Sequence, residues 1–202
     1  MSSDGQSFEQ LLQAARNLKL RGENKKAIDA YRVALQVNPE SIEALNEMGL
    51  THIHIGEQME AILVFDAAIA AKPDDPSPHA NKVQAYLTIG SFQEALAAAD
   101  VGLLVAPESA DLHANKARAL ESLLRIKDAI DAFNESLKYD SDNPETWKAL
   151  ALCLDAQAKW DEVARAYRIA GSLHEKRGER ADAESCFKFA EMAENSKDDE
   201  MA

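Results

Sequence analysis

The sequence predicts an all-α solenoid built of stacked helix pairs, and three observations carry that prediction. Pro39, Pro73 and Pro107 stand 34 residues apart, Gly22, Gly56 and Gly90 keep the same step, and the apolar residues in between follow helical spacing. Two unrelated residue types on one period mark an internal repeat. The next proline step falls on Ser141, with Pro144 three residues later, and the next glycine steps fall on Leu124 and Ala158.

Unit starts at Phe8, Ile42, Pro76, Ala110 and Pro144 give repeats at about 8–41, 42–75, 76–109, 110–143 and 144–177. Residues 1–7 precede them as an N-terminal tail. In the first unit Leu11, Ala14, Ala15 and Leu18 share one helical face, and Ala27, Tyr31 and Ala34 share a second. A glycine near position 15 ends the first helix, where positive φ costs glycine little, and a proline near position 32 ends the second. Position 8 reads Ala15, Gly49, Val83, Ala117 and Ala151; position 20 reads Ala27, Ala61, Ala95, Ala129 and Val163. Position 24 reads Tyr31, Phe65, Ala99, Phe133 and Tyr167, and position 27 reads Ala34, Ala68, Gly102, Ser136 and Ala170. Small residues let the two helices approach, and a ring fills the space between neighbouring pairs. Asn38–Ser41, Lys72–Pro78 and Asp140–Pro144 are dense in turn formers and link the units.

After residue 170 the register restarts. Gly178, Ala183, Phe187 and Ala190 fit positions 15, 20, 24 and 27 of a unit starting near Ala164. One long helix, about Asp161–Arg177, then serves both as the second helix of the fifth unit and as the first of a final pair. A capping helix over about 181–194 closes the stack with a polar outer side, as terminal repeats require. The expectation is a single solenoid over 8–194 and a disordered acidic tail over 195–202.

Composition narrows the function. The 202 residues carry 22 Lys and Arg against 35 Asp and Glu, a formal charge of −13, with no basic cluster to displace counterions from a nucleic acid. The most apolar run, Ala61–Ala71, includes Asp66 and is too short to span a bilayer, so no membrane partner is expected. The N-terminal residues lack the pattern of a secretory signal, and Cys153 and Cys186 cannot form a disulfide framework, which reads as a cytoplasmic protein. His52 and His54 point about 200° apart on a helix and cannot easily share an ion. No Gly-rich phosphate loop and no nucleophile triad can be assembled, so neither enzymatic activity nor a cofactor is expected.

A 34-residue helix–turn–helix with small residues at positions 8, 20 and 27, an aromatic at 24 and proline at 32 resembles the tetratricopeptide repeat. The fifth unit carries the pattern most fully, with Trp147 at 4, Leu150 at 7, Ala151 at 8 and Leu154 at 11. His79 and His113 at position 4 and Ala99 at position 24 depart from it and are expected to loosen local packing. The resemblance implies a right-handed superhelical solenoid whose concave groove, lined by the first helix of each pair, binds a peptide segment or partner protein. Carried over by position, that groove holds Gln13, Arg16, Asn46, Glu47, Leu50, Ile53, Asn81, Gln84, Asn115, Arg118, Lys148 and Leu152, with Glu43, Asp111 and Glu145 at its edge.

The resemblance also supplies a test. The family's carboxylate clamp for an acidic chaperone tail needs Lys and Asn at positions 5 and 9 of one unit, Asn at 6 of the next, and Lys and Arg at 2 and 6 of the third. Every window of three units fails it; units two to four, for instance, offer Asn46 and Leu50, Asn81, then Asp111 and Asn115. The doubled segment His79-Ala80-Asn81-Lys82 and His113-Ala114-Asn115-Lys116 sets an asparagine at position 6 twice, where an amide can pair with an extended main chain or merely solvate the face. Residues 8–41 carry net charge +2 and residues 42–75 net −6, which suggests salt-sensitive self-association through the first unit or simply solvated outer faces. The leading expectation is an adaptor. The competing readings are a self-assembling scaffold and a regulatory subunit of a larger complex.

Overall fold

The computed structural model describes residues 7–201, with side chains through Ser196. Among the described residues there are eleven α-helices and no strand. The first helices of the pairs are α1 (Phe8–Leu20), α3 (Ile42–His54), α5 (Pro76–Thr88), α7 (Ala110–Ser122) and α9 (Pro144–Asp155). The second helices are α2 (Asn24–Val37), α4 (Gln58–Ala71), α6 (Phe92–Val105), α8 (Ile126–Tyr139) and α10 (Trp160–Lys176), and α11 (Arg180–Met201) follows. Starts of first helices keep the 34-residue step, and each helix packs on its pair mate.

The two kinds of helix begin differently, for local reasons. Ser7, Ser41, Asp75, Ser109 and Asn143 each cap a first helix by accepting a hydrogen bond from a first-turn backbone N–H. Second helices α2, α4, α6, α8 and α10 have no side-chain cap, because each starts directly from a tight turn. That turn repeats one pattern: Gly22 N donates to Lys19 O at 2.9 Å and Glu23 N to Leu18 O at 2.9 Å, the paired bonds that close a helix through a left-handed residue. Leu124 and Ala158 occupy the same place at φ 59° and 54°, so the turn geometry outlasts the loss of glycine. Asn38, Lys72 and Ala106 precede prolines, and their extended φ of −133°, −146° and −130° ends the second helices.

The core is a ring set into a gap. Tyr31, Phe65 and Phe133 are fully buried, as are the small residues at positions 8, 20 and 27 around them. A Cβ added to Gly49 would lie 2.5 Å from Phe65 Cε1, and one added to Gly171 would lie 2.7 Å from Phe187 Cε1. Gly171 and Phe187 therefore repeat, in the α10–α11 pair, the packing of Gly49 and Phe65 in the α3–α4 pair. Cys153 and Cys186 are buried small residues, and burial pushes the Cys153 thiol up to about 12.

The helices cluster in two compact units, Met1–Pro107 and Glu108–Ala202. Three sequence expectations need revision. Helix α11 runs on to Met201, through most of the segment read as a disordered tail over 195–202; Ala202 and residues 1–6 of the N-terminal tail lie outside the described residues. His79 does not loosen its unit: buried at position 4, it donates from Nε2 to Pro73 O at 3.0 Å. Trp147 makes the equivalent bond to Ser141 O at 2.8 Å, so an imidazole N–H replaces an indole N–H against the carbonyl six residues upstream. His113 is held too, stacked on Tyr139 with ring centroids 5.7 Å apart.

Candidate functional site

In the first compact unit the first-helix faces are tied to one another. Arg16 on α1 reaches across to α3, where its Nε donates to Glu47 Oε1 at 2.9 Å and Nη2 pairs with both Glu47 and Glu43. Tyr31 donates its hydroxyl to Glu47 Oε2 at 2.8 Å. Hydrogen bonds from Glu47 and Glu43 raise the Arg16 guanidinium above its ordinary value. Burial works to raise the Glu47 carboxyl, and bonds from Arg16 and Tyr31 outweigh it, holding Glu47 below the usual carboxylate range. One step along, Asn81 Nδ2 on α5 donates to Asn46 Oδ1 on α3 at 3.1 Å. Around this ladder Gln13 and Gln84 are exposed, Ile53 is half-buried and Leu50 is 40% exposed.

In the second compact unit the same helix face is built otherwise. Asn115 is buried, with 7% exposure, and its Oδ1 receives Arg118 Nη1 at 3.4 Å. Lys148 pairs with Glu145 at 3.1 Å within α9, and Leu152 is 55% exposed. Glu121, a turn beyond Arg118 on α7, is half-buried, and burial raises its carboxyl against the opposing charge of Arg118.

The structure therefore separates the sequence-predicted residues. Asn46, Asn81, Leu50 and Gln84 come together on α3 and α5 with polar or apolar surface left over. Arg16 and Lys148 are occupied by carboxylates of the protein itself, and the duplicated asparagines diverge, Asn81 half-buried and Asn115 enclosed. Two residues were missed: Glu121, which holds in its repeat the place that Ile53 holds in the second, and Tyr31, whose hydroxyl completes the Glu47 site. Position alone could have flagged Glu121, whereas nothing in the sequence pairs Tyr31 with Glu47. Three of the six cations in residues 8–41 are paired, Lys26 with Glu23 and Arg32 with Asp29 inside that repeat and Arg16 with Glu47 of the next. His52 bonds through Nδ1 to Glu57 Oε2 at 2.8 Å across the α3–α4 turn, and no metal-binding cluster occurs among the described residues.

The family model that matches the chain is the tetratricopeptide repeat, over residues 12–76 and 81–144. The chain belongs to the tetratricopeptide repeat family. Solved structures of similar fold include MamA, 19% identical with a TM-score of 0.70 over 82% of this chain and 96% of that one. TTC0263, a thermophilic repeat protein of Thermus thermophilus, is 20% identical with a TM-score of 0.71 over 92% of this chain and all of its own. A chain of the APC/C hetero-tetramer Cut9–Hcn1 is 20% identical with a TM-score of 0.71, covering 93% of this chain and 36% of that chain. No curated protein matches. Tetratricopeptide repeats are protein–protein interaction modules, generally without catalytic activity of their own. Among the described residues no helix is long and apolar enough to cross a membrane.

Proposed function

We propose that this tetratricopeptide repeat protein is a non-catalytic adaptor that holds a segment of a partner protein on the first-helix faces of its repeats. The observation that supports this reading most directly is the Asn46–Asn81 pair. Its single bond fixes both amides and leaves the Asn81 carbonyl oxygen and the Asn46 amide nitrogen with capacity for an extended main chain. Leu50, on the same face of α3, offers apolar surface that folding leaves uncovered. Arg118, whose hydrogen bond to Asn115 is long, supplies a cation on α7 that can meet an acidic side chain, while Arg16 shapes the face from within the network.

Affinity capture from source extract tests the reading, with wild type beside an Asn81→Ala, Gln84→Ala, Leu50→Asp variant. A partner retained by wild type and lost from the variant supports it; retention of the same partner by both contradicts it. A self-assembling scaffold is the second reading, favoured by Met59, Leu63, Val101 and Leu104, which stand 56% to 85% exposed on the second helices of the first unit. It predicts that Leu63→Asp, and not the groove variant, abolishes association.

A further inference from the structure

His174 on α10 holds position 11 of the final repeat, counted from Ala164, and is 3% exposed. Its Nδ1 bonds to Glu179 Oε2 at 2.7 Å across the α10–α11 turn, as His52 at the same position of the second repeat bonds to Glu57 at 2.8 Å. The two histidines differ at the other ring nitrogen. His174 Nε2 is buried without a hydrogen bond and lies 3.6 Å from Glu145 Oε1 on α9, whereas His52, among the described residues, has no second carboxylate within ion-pair distance. A neutral imidazole carries one N–H, so in either tautomer one nitrogen of His174 turns a bare lone pair toward a carboxylate. Only the imidazolium can donate to both, which gives the orphaned nitrogen a physical account.

We propose that His174 is a proton-operated clasp between α9 and the α10–α11 pair. On acidification the imidazolium keeps Glu179 and draws in Glu145, closing the 3.6 Å gap to hydrogen-bond distance. As pH rises the proton is lost, the bond to Glu145 goes with it, and the final pair is held to α9 less tightly. The charged groups around the ring set this sign. From α9 come Glu145 and Lys148, which pairs with Glu145 at 3.1 Å and competes with His174 for it. The turn supplies Glu179, and α11 adds Asp182 and Cys186; the thiol lies in the field of Glu145 and Lys148, and burial raises it so that it stays neutral. Arg177 at the end of α10 donates to Asp142 O at 2.7 Å, a tie that persists at either pH. Two carboxylates meet the ring directly, and they outweigh the one ammonium held by Glu145. The clasp governs how the chain holds its last helix pair, whichever face meets a partner.

The test is hydrogen exchange of the full chain, corrected for intrinsic rates, at about pH 5.5 and about pH 8, on either side of the usual histidine charge change. Protection of α10 and α11, taken relative to α8, is expected to be about threefold greater at the lower pH. Glu145→Gln, at an exposed site in the first turn of α9, should abolish that difference, and His174→Gln should do the same. His52→Gln should leave it intact. Nitrogen NMR of the His174 ring should show both nitrogens protonated at the lower pH in the wild type. Equal protection at the two pH values, looser α10 and α11 at the lower one, or a difference that survives Glu145→Gln would overturn the proposal.

Discussion

The first and second compact units are each built on the same kind of core and differ in what lies over it. In both, a ring at position 24 fills a space left by small residues, as the buried Phe65 does at Gly49 and the half-buried Phe187 at Gly171. Over that core the first unit ties α1 to α3 through Arg16, Glu43 and Glu47, and α3 to α5 through Asn46 and Asn81. The second unit buries Asn115 and, among the described residues, leaves the carboxylate of the half-buried Glu121 without a hydrogen bond. Repetition thus fixes the parts that must interlock in every pair, and leaves the exposed first-helix positions free to diverge.

The largest expected effect falls on the shared part. Phe65→Ala and Phe133→Ala should each cost about 3–5 kcal/mol, because each empties a fully buried ring site. Chemical denaturation followed by hydrogen exchange should place the loss in the first unit for Phe65 and in the second for Phe133; similar loss in both units from either variant would argue that they unfold as one.

The next effect separates the faces. Glu47→Ala removes the acceptor of both Arg16 and Tyr31 and should destabilise the first unit by about 1–2 kcal/mol, the partial exposure of the pair keeping the figure modest. Glu121→Ala should cost no more than a few tenths, since no hydrogen bond is lost. Thermal unfolding that ranks these two in the opposite order would break the contrast.

The turns offer a smaller test in the other direction. Leu124 holds φ 59° with its side chain 84% exposed, so Leu124→Gly relieves backbone strain and should stabilise the second unit by about 1 kcal/mol. Gly56→Ala at φ 82° should destabilise the first by about the same amount. Denaturation midpoints moving the same way in both variants would contradict this.

The smallest effect is a sign difference with pH. The Glu47 carboxyl is lowered on folding, so its contribution is present above the ordinary value of 4.5 and is lost as pH falls through the folded value. Glu121 is raised, so stability is favoured below 4.5 and is lost as pH rises through its folded value. Glu121→Gln should therefore be more stable than wild type near neutrality, with the gap closing on acidification. A gap independent of pH would remove Glu121 from the account.

The fold was legible because its determinants are periodic. Pro39, Pro73 and Pro107, with Gly22, Gly56 and Gly90, mark helix ends by local sterics that need no knowledge of the third dimension. The role of His79 was not legible, since a histidine at a position favouring Trp looks like a loss until its N–H is seen on Pro73 O. The pairing of Arg16 was not legible for a related reason: its position places it on the groove face, but only the stacking of α1 on α3 puts Glu43 and Glu47 within its reach. Charge at a groove position states what could bind, and packing decides whether the protein has already bound it.

A photo-crosslinking amino acid placed at Leu50 on α3, and separately at Leu63 on α4, tests the central claim most directly. Both positions are exposed in the same compact unit, and they sit on a first and a second helix respectively. Irradiation in source cells should yield a discrete crosslinked partner from Leu50 and none from Leu63. A partner crosslinked from Leu63 alone would place the interaction on the second helices and contradict the adaptor reading.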